Sequence, residues 1–151
     1  MGNDIPGKFI GLLLAFVLTV VMPFVNTTVE LEMLDRRSII TDTTNFIDEV
    51  IDSRQITDAM LKEFHTNISS YGVNVDYEIT HLKRTVNPDP ANPDAYYTNY
   101  VPVSNDYPWE KGDRISVRVY TVGYSSTQTL AHKLIGLFIS ELDRTIVARI
   151  R

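Results

Sequence analysis

Apolar positions follow three patterns along the chain, and each pattern predicts a different kind of element. The first is an unbroken block. No residue from Phe9 to Val29 is charged, and Phe9 to Val25 interrupts its apolar side chains only with Gly11, Thr19 and Pro23. As a helix this window covers about 30 Å at about 1.5 Å per residue, the thickness of a bilayer's hydrocarbon core. A soluble core helix would show a polar face, and this stretch has none. A cleaved secretory signal would end in a small-x-small site, which "MPFVNTTVELE" does not offer. The expectation is therefore a retained membrane span with the lipid bilayer as its first partner, kinked near its far end by Pro23.

The second pattern is helical. In "TVELEMLDRRSIITDTTNFIDEVIDS" the residues Leu31, Leu34, Ile39, Ile40, Phe46, Ile47, Val50 and Ile51 recur at intervals of three and four. They predict that the span continues as an amphipathic helix, bent near Pro23 or near Thr41–Thr44, until "DSRQIT" interrupts it. A second helix restarts at Thr57, a good N-cap, and stops near Gly72, with Met60, Leu61, Phe64 and Ile68 as its apolar face. A later helix is predicted in "TQTLAHKLIGLFISELD", where Leu130, Leu134, Phe138 and Leu142 are spaced by four.

The third pattern has period two. Val73, Val75, Tyr77 and Ile79 alternate with polar residues, as do Ile115, Val117 and Val119, and again Ile146, Ala148 and Ile150. Each alternation predicts a half-buried strand. A further short strand is expected at Tyr97–Val103, and "EKGD" reads as a turn. "NPDPANPD", with three prolines, reads as an exposed loop. The predicted fold class is α+β. A long N-terminal membrane-spanning helix continues into an amphipathic helix packed on a small antiparallel sheet, with a further C-terminal helix and strand. Residues 1–29 form the leader and transmembrane helix, and residues 30–151 the head domain.

Charge narrows the partners. The formal net charge is −5, and residues 30–112 carry 7 basic against 15 acidic side chains, whereas 113–151 carry 6 against 3. An acidic head with no basic run is a poor nucleic-acid binder, because phosphate neutralisation supplies most of that affinity; no nucleic acid is expected as partner. Orientation in the membrane stays open, since Lys8 on one side and Arg36 and Arg37 on the other nearly balance. With no cysteine in the chain, disulfides, thiolate metal sites and thiol nucleophiles are excluded.

Candidate chemistry is sparse. His65, His81 and His132 fall on different predicted elements without metal-ligand spacing, and the sequence has no nucleophile elbow and no phosphate loop. Asp48 and Asp52 read as a solvated helix face. No catalytic residue, metal or cofactor is expected. Gly11 and Ala15 form a small-xxx-small pair that would let a second membrane helix approach closely. Tyr96, Tyr97, Tyr100, Tyr107 and Trp109 cluster within one irregular segment. They read either as a contact surface for a partner or as aromatic cover over the core, the second reading being favoured.

The layout of a polar leader, uncharged helix, amphipathic continuation and small α+β head resembles pilin-like proteins. More narrowly, "LEMLDRRSIITDTTNFIDEVIDSRQIT", "LKEFHTNISSYGVNVDYEI" and "VNPDPANPD" resemble TadE-like proteins of tight-adherence-type pilus and secretion systems in Gram-positive bacteria. The resemblance implies a non-enzymatic structural subunit. It would sit in the cytoplasmic membrane as a single-pass protein, its C-terminal domain extracytoplasmic, and assemble with other pilin-like subunits and membrane platform proteins. Processed pilins carry glycine before the cleavage site and glutamate five residues into the mature helix. Here Gly7 supplies the first but Leu12 stands in the second position, which implies a minor or non-polymerising component. The alternative is a membrane-tethered extracytoplasmic sensor or ligand-binding module, with its site near the aromatic segment.

Overall fold

A computed structural model describes residues 4–123, 129, 132–133 and 141–151. Its first fifty described residues are helical throughout: α1 (Asp4–Phe16), a π-helical turn (Val17–Val21) and α2 (Met22–Ser53) follow one another without a gap. Pro23 has no N–H and its ring crowds the preceding turn, so an ordinary α-helix would break there. The turn just upstream is widened instead, with the Met22 N–H reaching back to the Val17 carbonyl. That extra residue in the turn makes room for the ring. At Thr41–Thr44 the helix also continues. The hydroxyls of Thr41, Thr43 and Thr44 donate to the carbonyls of Arg37, Ile39 and Ile40 at 2.9, 2.7 and 2.9 Å, so they compete little with the backbone ladder.

The helix stops at Arg54, which adopts the left-handed conformation (φ 52°) with its N–H on the Val50 carbonyl. Thr57 caps α3 (Asp58–Ser69) by accepting the Met60 N–H at 3.2 Å. Gly72, at φ +67°, then turns the chain into the sheet, a conformation that favours glycine.

The sheet has four strands among the described residues: β1 (Val75–Asp89), β2 (Asn92–Val103), β3 (Arg114–Thr121) and β4 (Asp143–Arg149). They lie in the order β2-β1-β3-β4, all antiparallel. One face is apolar. Ile115, Val117 and Val119 of β3 pack with Ile39, Phe46, Ile47 and Val50 of α2 and with Met60, Phe64 and Ile68 of α3. Phe46 and Phe64 stack at 4.6 Å between ring centres, and Tyr77 meets Phe64 edge-on. The fold is α+β, a long N-terminal apolar helix joined to a small antiparallel sheet.

The expected proline-rich loop is a correction. "NPDPANPD" closes a hairpin: β1 runs through Pro88 to Asp89, Pro90 and Ala91 form the turn, and β2 begins at Asn92. The prolines fit because β1 pairs with β3 only from Val75 to Leu82. Beyond Leu82 its second edge needs no N–H donor, and β2 is itself an edge strand. The register also shifts between Pro88 and Asp89, which absorbs the irregular geometry. Of the predicted C-terminal helix, Thr129, His132 and Lys133 are helical and Leu142 is buried, while Leu130, Leu134 and Phe138 lie outside the described residues.

Candidate functional site

The rod formed by α1, the π turn and the start of α2 is apolar and unburied. Phe9, Ile10, Leu12, Leu13, Leu14, Phe16, Leu18, Val20, Met22 and Phe24 are all at least half exposed or nearly so. Among the described residues one helix is long and apolar enough to cross a membrane, and its most apolar window buries nothing within the chain. Two of its hydroxyls are satisfied internally. Thr19 donates to the Ala15 carbonyl at 2.6 Å and Thr28 to the Phe24 carbonyl at 2.9 Å, as a lipid setting requires. Gly11 and Ala15 sit one helical turn apart on this exposed rod, and a Cβ added at Gly11 would meet nothing within 4 Å. Further along, Glu32 turns inward and binds Arg36 at 2.8 Å, marking where the rod becomes part of the head.

The five aromatic residues are not brought together. Trp109 belongs to the core and stacks on His81 at 3.7 Å with an interplanar angle of 11°. Tyr107 accepts a hydrogen bond from Lys83 Nζ at 2.9 Å. Tyr100 lies under the Arg114 guanidinium at 3.9 Å. Tyr96 and Tyr97 are exposed on the projecting hairpin, and strand alternation turns them to opposite faces: Tyr96 pairs with Pro88, Tyr97 with Asn87.

The described residues hold one buried polar centre that sequence reasoning missed. His81, fully buried on the inner face of β1, places Nε2 2.9 Å from Asp113 Oδ2. Asp113 also accepts the backbone N–H of Arg84 at 2.8 Å and of Glu110 at 3.0 Å. Burial pushes its carboxyl upward, but those two N–H groups and the His81 ring outweigh burial and hold it below the usual carboxylate range. A carboxylate accepts only, so His81 must donate from Nε2. Its Nδ1 and the Trp109 Nε1 find no hydrogen-bond partner among the described residues. With both side chains sealed from solvent, the pair has no route to a substrate; it ties β1, the 110–113 turn and β3 together. The signal was present in the sequence, because His81 continues the inward series Val75, Tyr77, Ile79.

Other candidates stay separate. Asp48 and Asp52 are exposed on α2, and His65 lies beside Tyr77, its ring centre 6.1 Å away. Among the described residues no group of three or more metal-ligating side chains converges. Compared with known protein families, with curated proteins and with solved structures, the chain has no match.

Proposed function

We propose that the chain is a membrane-anchored, pilin-like structural component of a tight-adherence-type pilus or secretion apparatus. The apolar rod anchors it as a single-pass protein of the cytoplasmic membrane. The head stands outside the cytoplasm, and other pilin-like subunits and platform proteins pack against the rod. One observation carries this reading. The same helix is apolar and largely exposed over its first half and, without a break, becomes a core element of the head over its second. A helix so built transmits the position of the head rigidly to whatever grips the rod.

Membrane helices associate through close packing of small residues, since lipid already satisfies apolar side chains. Gly11→Leu places a branched side chain where nothing of this chain lies within 4 Å, so the head is untouched. Co-purification with partner pilins should fall while the thermal melt of the head is unchanged. Intact co-purification in Gly11→Leu, with loss in Tyr97→Ala, would move the contact to the hairpin and leave the rod as a simple anchor.

A further inference from the structure

The sheet face turned away from the helices is electrically divided. At one end Glu78 and Asp143 flank Arg118, which binds Asp143 with two nitrogens at 3.0 and 2.8 Å and Glu78 at 3.5 Å, and Asp76 accepts from the Tyr120 hydroxyl at 3.4 Å. At the other end stand Arg84, Arg114 and Arg149. Arg114 and Arg149 are direct cross-strand partners, an arrangement that costs stability for like charges. Arg84 Nη1 and Arg149 Nη2 lie 3.2 and 3.6 Å from the point where a Cβ would sit on Gly112. All three arginines are exposed, and none has an ion pair among the described residues. The nearest carboxylate in sequence, Asp113, is turned inward and committed to His81 and two backbone N–H groups.

Arg84 and Arg149 meet over Gly112, and Arg114 stands beside them on the same sheet face with its guanidinium over Tyr100. Such a group without a counter-charge, in a chain of net charge −5, calls for an external anion. We propose that Arg84, Arg114 and Arg149 form a binding site for a phosphate-bearing ligand. Guanidinium forks match phosphate oxygens with paired hydrogen bonds. Tyr100 lies against the Arg114 guanidinium at 3.9 Å, and that guanidinium donates no hydrogen bond among the described residues. Gly112, at φ +100°, keeps the floor open, because any side chain there would press on Arg84. The patch is too small to neutralise a run of nucleic-acid phosphates, whose affinity grows with each contact.

Its place in the fold limits where the phosphate comes from. The Arg54 guanidinium, just past the end of α2, donates to the Arg151 carbonyl at 2.8 Å, and Ile150 and Gly112 are hydrogen-bonded neighbours. The site therefore lies level with the far end of α2, on the opposite face of the sheet. From Glu30 to Ser53 that helix rises about 35 Å at about 1.5 Å per residue. If the rod is anchored as proposed above, the headgroups of its own membrane are out of reach. The phosphate then belongs to a soluble or polymeric molecule, or to a facing membrane.

The test uses the full-length chain in phosphatidylcholine nanodiscs, titrated calorimetrically with inorganic pyrophosphate at constant ionic strength. Saturable binding is expected, weakened about tenfold by Arg84→Gln or Arg149→Gln, and weakened by Arg114→Lys, which keeps the charge but loses the fork. Arg37→Gln, which removes a charge elsewhere, should leave it unchanged. Trp109 fluorescence reports that each variant is folded. Absence of saturable binding to the unaltered chain overturns the site, as does an equal loss in Arg37→Gln. Competition by phosphatidic-acid vesicles assigns a facing headgroup, and its absence a soluble ligand; either supports the site. Because only the last exclusion rests on anchoring, failure here leaves the membrane reading standing.

Discussion

Asp113 shows how a single residue can hold a junction that no hydrophobic pattern announces. Its carboxylate collects three donors from β1, the 110–113 turn and His81. A carboxyl held below its unfolded value stabilises the fold above the unfolded pKa, and that contribution is lost as pH falls through the folded value. The loss therefore belongs to the acid limb, below about pH 4, the range of an ordinary aspartate. Asp113→Asn keeps the shape but replaces one accepting oxygen with a donor. It should cost about 1.5–3 kcal/mol at neutral pH, the range for hydrogen bonds to a charged group, and flatten the acid limb. The single tryptophan, stacked on His81, makes denaturant melts at several pH values a direct readout. An acid limb as steep in the variant as in the parent would remove Asp113 from this role. From sequence, His81 could be placed on the inner strand face but its partner could not, because Asp113 approaches only once the 110–113 turn folds back onto β1.

Among the elements, those governed by local periodicity were legible. The N-cap at Thr57, the end of α3 near Gly72 and the inner faces of β3 and β4 follow from spacing and capping chemistry alone. The hairpin was not legible, because whether a strand tolerates proline depends on its neighbours in the sheet, which spacing along the chain does not encode. Pro88 and Val117 should therefore differ in their response to substitution. Pro88 lies where β1 has β2 on one side and no paired strand on the other, so Pro88→Val should change stability by less than about 1 kcal/mol, the span of strand propensity. Val117 is paired on both sides, with Ile79 and with Ile146, and is fully buried. Val117→Pro should cost about 3 kcal/mol or more through the lost ladder bond and the clash of the ring. Circular dichroism melts of the two variants compare them, and equal losses would mean that sheet position does not set the tolerance.

At the scale of the molecule, the uncharged window announced the rod, but its charge balance left the orientation open, since Lys8, Arg36 and Arg37 nearly cancel across it. The structure adds that the rod and the head share one unbroken helix. The absence of cysteine allows a single thiol to report both. Ser104 is exposed between β2 and Trp109, far in sequence from the rod. The decisive measurement is labelling of Ser104→Cys by a membrane-impermeant thiol reagent on intact cells, read on protein recovered in carbonate-washed membranes. Label is expected in that membrane fraction without lysis. Label that appears only after lysis, or full-length protein released by carbonate, would contradict it.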